Sequence, residues 1–192
     1  LIFAEDTRVT RKLLNHLGIK RRIQSLNANN EVKKTPKILE QLSQGKNLAL
    51  VSDAGTPLIS DPGFFLVKKV REKSFNIIPI PGCCAVIAAL CASGIATDKF
   101  YFHGFLPPSK FAQHRELEQL VARKETLIFY ESVHRLLSTI GLMIKVFGGD
   151  RKAIVCKEIT KLHESYFGKT LSEIDDYIQN NPKKIKGEFT II

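Results

Sequence analysis

The stretch Lys46–Gly63, KNLALVSDAGTPLISDPG, decides the fold expected for this chain of 192 residues. Its apolar run Leu48–Val51 is short and unbroken, a pattern typical of a strand buried on both faces of a parallel sheet. Small residues, a carboxylate and a proline follow at the carboxyl end of that strand, where open α/β sheets bind their ligands. The stretch therefore predicts either a ligand-binding loop or a plain turn between a strand and a helix.

The end of the same stretch predicts where the next helix begins. Asp61 has the side chain of an N-cap residue, and Pro62 suits the first helical position. The residues from 64 to 73 then show the spacing of an amphipathic helix.

Strand and helix signals alternate on both sides of this stretch. Strands are expected at 1–4, 19–26 and 76–82. Helices are expected after Thr7 or Thr10 with Leu13, Leu14 and Leu17 inward, from Thr35-Pro36 onward, and over 83–92. This alternation predicts an α/β domain with a parallel sheet over residues 1–105.

A proline-stiffened connection follows at 105–110, and the pattern beyond it changes. Helices are expected at 111–123, 133–147 and 171–179, and strands at 126–130, 153–157, 164–169 and 188–192. We therefore expect a second, α+β domain over residues 109–192, with a cofactor cleft between the two domains.

The charge of the chain favours a polyanionic partner. Lys and Arg number 29 against 19 Asp and Glu, so the formal net charge is +10, and the pI is about 9.5. Many of the cations fall in the first forty residues. They indicate either phosphate contacts or an ordinary solvated surface.

Several classes of protein are not indicated. No apolar run is long enough to span a membrane and no signal peptide is evident, so a cytoplasmic protein is expected. The four cysteines have the spacing of neither a zinc site nor a disulfide framework, and we expect them to be reduced. The sequence has no nucleophile elbow, zincin helix or Walker loop, and no metal site is predicted.

The residues SDAGTPLISDPG at 52–63 resemble the cofactor loop of the tetrapyrrole methylase superfamily. Further stretches resemble one branch of it, the ribosomal RNA small subunit methyltransferase I family. They are AEDTR at 4–8, PIPG at 79–82, GFLP at 104–107, TLIFYES at 126–132 with His134-Arg135, and KEITK at 157–161. The resemblance implies methylation of a cytidine ribose 2′-hydroxyl in small-subunit ribosomal RNA, with S-adenosyl-L-methionine as cofactor and a homodimer as the assembly.

The resemblance also implies which residues bind the cofactor. Asp53 either binds the amino group of the cofactor or caps its own turn, and Tyr130 either covers the cofactor or belongs to the core. Cys84 stands where relatives often carry serine or alanine. The implied cofactor-binding residues are Ser52, Asp53, Ala54, Gly55, Thr56, Pro57, Cys84, Ala85, Phe129 and Tyr130.

A ribose hydroxyl is a weak acid, so a group that accepts its proton is expected. The candidate catalytic residues are Glu5, Asp6 and Glu131. For Glu5 and Asp6 the alternative is to cap a helix and pair with Arg8. Phosphate contacts are expected from side chains whose forked or cationic heads match phosphate oxygens, namely Arg8, Arg21, Arg22, Arg135 and Lys161.

Family members begin with a further strand and loop before the segment that resembles AEDTR, and this chain starts inside the next strand. We expect the chain without that segment to bind S-adenosyl-L-methionine poorly, and either to dimerise over the surface left bare or to be an ordered part of a longer protein. Two other functions stay open at this point: methylation of a corrin or porphyrin, and a non-catalytic RNA-binding role.

Overall fold

A computed structural model describes residues 1–192, and the chain divides into two compact units, Leu1–Cys84 and Ala85–Ile192. The predicted α/β class is confirmed. The strands are β1 (Ile2–Ala4), β2 (Ile23–Ser25), β3 (Ala49–Val51), β4 (Phe100–Phe105), β5 (Thr126–Ser132), β6 (Val155–Lys157), β7 (Ser165–Phe167) and β8 (Glu188–Ile191). The helices are α1 (Thr7–His16), α2 (Glu31–Ser43), α3 (Phe64–Glu72), α4 (Ala85–Ala92), α5 (Lys110–Leu120), α6 (Leu136–Phe147) and α7 (Leu171–Asn180), and a short 3-10 turn spans Pro182–Lys184.

The first unit contains a parallel three-stranded sheet in the order β2-β1-β3. The central strand β1 is the buried one, since Phe3 and Ala4 are almost fully covered. Strand β3 lies at the edge of the sheet and is at most half-buried, so the expected burial of Leu48–Val51 on both faces is wrong. The core of the unit consists of Phe3, Leu26, Ile38, Leu66 and Val70.

The buried face of helix α1 matches the prediction only at Leu14. Thr10 and Leu14 are buried, whereas Leu13 and Leu17 are more than half exposed. Thr10 and Leu14 are one turn apart and lie on the same face, and Leu13 is about 100° away around the helix axis. An apolar stripe of Val9, Leu13 and Leu17 is therefore left uncovered.

Helix α2 begins four residues before the predicted Thr35-Pro36 start. Pro36 lies inside the helix and cannot donate the usual backbone hydrogen bond. The Thr35 hydroxyl donates to the Glu31 carbonyl at 2.9 Å in the same turn. The helix thus accommodates the proline without ending at it.

Helix α3 begins at Phe64, so the predicted start with Asp61 as N-cap is wrong. Gly63 is the residue before the helix, and it has a φ of 127°. A Cβ at this position would lie 2.7 Å from Leu50 Cδ2, so a larger residue would clash. The buried carboxylate of Glu31 accepts the Leu66 N–H at 2.8 Å and caps the helix from outside.

The second unit contains a mixed five-stranded sheet in the order β4-β5-β8-β6-β7. Strands β4 and β5 are parallel and connected by α5, and the other pairs are antiparallel. The latest strand in the chain, β8, lies between β5 and β6. Helices α5, α6 and α7 contribute Leu117, Ile140 and Ile174 to the core, where Phe129 and Ile191 of the sheet are also buried.

Two parts of the chain differ from expectation at the junction of these units. Residues 76–82 form no strand, which is consistent with prolines at 79 and 81 that cannot donate to a sheet. Strand β4 was not predicted, and its pairing with β5 places it in the second unit. The predicted domains 1–105 and 109–192 remain a prediction about how the protein divides into separately folding parts, and so does the cleft between them.

Candidate functional site

The carboxyl ends of β1 and β3 are joined by hydrogen bonds that involve two acidic side chains. Asp53 Oδ1 accepts the Asp6 N–H at 3.0 Å, and Glu5 Oε2 accepts the Asp53 N–H at 3.4 Å. The Glu5 N–H extends the ladder to the Val51 carbonyl at 3.3 Å. The structure therefore brings the AEDTR and SDAGTP segments together, and Asp53 caps the end of the neighbouring strand rather than its own turn.

Asp6 caps helix α1 and pairs with Arg8. Its Oδ1 accepts the Arg8 N–H at 2.8 Å, and the Arg8 guanidinium donates to both carboxylate oxygens. These bonds lower the pKa of Asp6 from 3.8 to about 2 and raise the pKa of Arg8. Such a weak base is poorly suited to accept a hydroxyl proton, so the geometry favours the capping alternative for Asp6.

The loop after β3 is held in shape by its own side chains. The Ser52 hydroxyl contacts the carbonyls of Ala54 and Gly55 at 3.2 and 3.3 Å. The Thr56 hydroxyl donates to the Cys83 carbonyl at 2.9 Å and connects the loop to the segment that carries Cys84. Residues 53–55 are exposed, so this small-residue loop presents its backbone to the surroundings.

The same loop contains residues in the left-handed region. Gly55 has a φ of 74°, and the non-glycine residues Leu58 and Ser60 have φ values of 74° and 64°. Non-glycine residues in this region are under strain, and such strain is concentrated at ligand-binding segments. This backbone geometry is compatible with a binding loop, and the choice between a binding loop and a plain turn stays a prediction.

Glu131, a predicted catalytic residue, is only 1% exposed and belongs to a closed network. Its carboxylate accepts from Arg135 Nε and Nη2 at 2.8 and 3.1 Å, from the Thr139 hydroxyl at 2.7 Å and from the Ser132 N–H at 2.7 Å. Arg135 also donates to the carbonyls of Leu106 and Pro107. This geometry argues against a catalytic role for Glu131 and against Arg135 as a free phosphate ligand.

The remaining predicted cofactor residues lie in different surroundings. Phe129 is buried in the core, 5.3 Å from the His103 ring centroid. Tyr130 is half-buried and makes edge-on contacts with Phe102 and Phe105, so its core alternative gains support. Cys84 and Ala85 are both half-buried and lie at the start of α4.

The predicted phosphate contacts also fall into two groups. Arg8, Arg21 and Arg22 are exposed, although Arg8 is also paired with Asp6. Lys161 is held by the carboxylates of Glu188 at 2.8 Å and Glu158 at 3.0 Å. Burial acts to lower the pKa of Lys161, because it disfavours the charged form. The hydrogen bonds to the two carboxylates have the larger combined effect, so the pKa of Lys161 is raised. Lys161 is thus already paired within the protein.

Part of the basic group in the first forty residues lines a cationic concavity on α1, which the sequence analysis did not identify. It has a volume of about 280 Å³ and is lined by Thr7, Arg8, Arg11, Lys12 and Asn15. Its signal was present, because residues spaced three and four apart share a helix face. The structure also contains no group of three His, Cys, Asp or Glu side chains arranged to hold a metal, and none of its helices has both the length and the apolar character to cross a membrane.

Comparison with known proteins agrees with this arrangement. The sequence model of the tetrapyrrole (corrin/porphyrin) methylase family matches residues 1–175 of this chain. The crystal structure of the methyltransferase CobJ superposes with a TM-score of 0.62 at 15% identity, covering 99% of this chain and 91% of that one. The family match over residues 1–175 therefore makes this chain a methyltransferase of the tetrapyrrole methylase class, and the superposition agrees with it in fold.

Closer relatives narrow the assignment. The chain is 47% identical to ribosomal RNA small subunit methyltransferase I of Haemophilus influenzae (strain Rd), covering all of this chain and 68% of that protein. It is 46% identical to the protein of that name from Pasteurella multocida (strain Pm70), with the same coverage. The chain belongs to the ribosomal RNA small subunit methyltransferase I family, which confirms the resemblance seen in the sequence.

Proposed function

We propose that this protein transfers the methyl group of S-adenosyl-L-methionine to the ribose 2′-hydroxyl of a cytidine in small-subunit ribosomal RNA. The observation that carries the proposal is the joined carboxyl edge of β1 and β3, where Glu5, Asp53 and the small-residue loop meet. Relatives of 46–47% identity carry the corresponding enzyme name. The bound cofactor would supply an electrophilic methyl group on a sulfonium.

The loop Ser52–Pro57 fits a cofactor that lies against backbone. Its side chains are small, and Gly55 occupies a conformation that glycine adopts without strain. A Cβ at Gly55 would lie 3.7 Å from the Cys83 carbonyl, so a larger side chain would fill the space between the loop and the 83–84 segment. The internal bonds of Ser52 and Thr56 keep this surface preorganised.

We expect most of the rate acceleration to come from positioning the methyl donor and the ribose hydroxyl relative to each other. Holding donor and acceptor in line can contribute about 7–11 kcal/mol to lowering the barrier. Of the three predicted carboxylates, Glu5 is the best candidate to accept the proton of the ribose hydroxyl. Asp6 is a weak base, and Glu131 is enclosed by its hydrogen-bond partners. With the cofactor bound beside the Ser52–Pro57 loop, the ribose oxygen would take the methyl group as its carbon–sulfur bond breaks, and Glu5 or water would accept the hydroxyl proton.

The charge of the chain favours RNA over a tetrapyrrole as the substrate. A net charge of +10 attracts a polyanion, whereas a corrin or porphyrin site requires a largely apolar floor. The likeness to CobJ extends to the fold alone. We therefore place ribosomal RNA ahead of the corrin or porphyrin alternative.

Methyl transfer is the direct test. The chain is incubated with methyl-labelled S-adenosyl-L-methionine and either isolated small ribosomal subunits or naked small-subunit RNA. We expect label in RNA, at a cytidine whose 3′ phosphodiester resists alkaline cleavage because its 2′-oxygen is methylated. Label on a base would contradict the proposed acceptor. RNA binding without transfer, by a protein that calorimetry shows to bind the cofactor, would favour the non-catalytic alternative.

Loop variants test the cofactor site separately. Gly55→Val should weaken cofactor binding in calorimetry, whereas Gly45→Val, at a similar φ in a turn with open space, should leave it unchanged. Asp53→Asn keeps an acceptor for the Asp6 N–H but removes the negative charge. A loss of cofactor affinity in this variant would therefore come from the missing charge and not from a lost strand cap. Equal affinity in wild type, Gly55→Val and Asp53→Asn would refute this location.

A cytoplasmic homodimer is part of the same proposal. The uncovered stripe of Val9, Leu13 and Leu17 on α1 offers apolar surface that a second copy could bury. Light scattering should give twice the chain mass, and Leu13→Lys should reduce it. A monomer at all concentrations would contradict the proposed assembly.

A further inference from the structure

We infer that one concave face of α1 binds the sugar-phosphate backbone of the RNA substrate. This face is formed by Thr7, Arg8, Arg11, Lys12 and Asn15. The inference rests on the proposed function, and it assigns to Arg11, Lys12 and Asn15 in particular a role that the charge of the first forty residues indicated only in general.

The lining of this concavity has the composition that phosphate oxygens require. Three of its five residues are cations, and Thr7 and Asn15 add neutral hydrogen-bonding groups. No acidic residue is among the five. Since buried or paired cations are poor phosphate ligands, it also matters that Arg11 and Lys12 are exposed.

Helix geometry places these side chains together. Residues 8, 11, 12 and 15 follow the three-and-four spacing of one helix face, and Thr10 and Leu14 hold the helix on the core through another. The cations are thus carried on a rigid, internally packed element. A rigid presentation lowers the conformational entropy lost when a ligand binds.

Arg8 has a different role in the proposed RNA contact from Arg11 and Lys12. Its guanidinium is paired with the Asp6 carboxylate, so the pair adds little net charge but fixes the guanidinium at one edge of the concavity. Arg11 and Lys12 supply the net positive charge. The α1 face also begins directly after Glu5 and Asp6, so a backbone bound there would lie next to the joined strand ends of the candidate site.

The test measures how RNA binding by the full chain depends on salt. Anisotropy of a labelled small-subunit RNA fragment is recorded from low to high salt for wild type, Arg11→Ala/Lys12→Ala and the control Lys33→Ala/Lys37→Ala. The control removes the same charge from exposed positions of α2. Because all four residues are exposed, circular dichroism should show an unchanged fold.

The expected result is a smaller salt slope in the α1 variant alone. Losing two phosphate contacts should reduce the log–log slope by about 1.4 for single-stranded RNA or about 1.8 for a duplex. An unchanged slope, or an equal loss in the α2 control, would overturn the inference. Methyl transfer by wild type reports on the proposed function independently, since it is measured at RNA concentrations that saturate binding.

Discussion

Replacement of Glu131 distinguishes a structural carboxylate from a catalytic one. The side chain is 1% exposed and accepts four hydrogen bonds within 3.1 Å, two of them from Arg135. Removing one partner of a buried ion pair costs about 3–5 kcal/mol, since the other charge is left behind. Arg135 is 26% exposed and keeps its carbonyl contacts, so we expect about 3 kcal/mol of lost stability for Glu131→Ala.

Glu131→Gln should cost less, about 1–2 kcal/mol, because the amide keeps one acceptor and can donate to the Thr139 oxygen. A matched surface control is Glu118→Gln, whose side chain is 57% exposed and pairs with His114 along α5. That change should cost less than about 0.5 kcal/mol. A double-mutant cycle of Glu131 and Arg135 measures their coupling directly.

Urea unfolding followed by tyrosine emission is the suitable assay. The chain has four tyrosines and no tryptophan, and all four lie in the second unit, at 101, 130, 166 and 177. The signal therefore reports on the unit that contains Glu131. If Glu131→Ala unfolds within 1 kcal/mol of wild type while methyl transfer is lost, the structural reasoning is refuted and the catalytic role returns.

Three further predictions concern other groups. The depressed pKa of Asp6 means that its contribution to stability is complete above about pH 4 and is lost as the pH falls towards 2. NMR titration of the Asp6 carboxyl should give a midpoint near 2, and Arg8→Ala should raise it. A wild-type midpoint of 3.8 would contradict this. Gly63→Ala should destabilise by at least about 2 kcal/mol through backbone strain and contact with Leu50, as measured by circular dichroism in urea; Gly45→Ala, with open space, is the control, and equal losses would refute the steric argument. Burial raises the pKa of Cys156 to about 12, so native alkylation at pH 8 should label exposed Cys83 and Cys91 and spare Cys156; mass spectrometry showing equal labelling of Cys156 would contradict the burial.

The sequence predicted elements best where local periodicity and packing agree. The strand after Lys124 and helices α6 and α7 are close to their expected bounds, because the strand has a continuous apolar run and the helices have apolar residues at helical spacing. Local signals failed where a distant group decides the outcome. Helix α3 begins at Phe64 since Glu31 caps it from 35 residues away, and no local pattern contains that contact.

The candidate site shows the same limit. Proximity of Glu5 to Asp53 could be anticipated, because both follow strands of one parallel sheet. The enclosure of Glu131 could not, since Thr139 and Arg135 reach it from the following helix and its N-terminal turn. A carboxylate in a family motif has the same sequence signal whether it faces a substrate or anchors a helix.

The central position of β8 has a consequence for synthesis of the protein. Strands β5 and β6 are joined only through β8, which is translated after both. While residues 188–191 are still inside the ribosome, the two halves of that sheet expose unpaired edges to other nascent chains. The three strands of the first unit, by contrast, are all translated by Val51. Chaperone binding during translation should therefore be concentrated on chains arrested between β6 and β8.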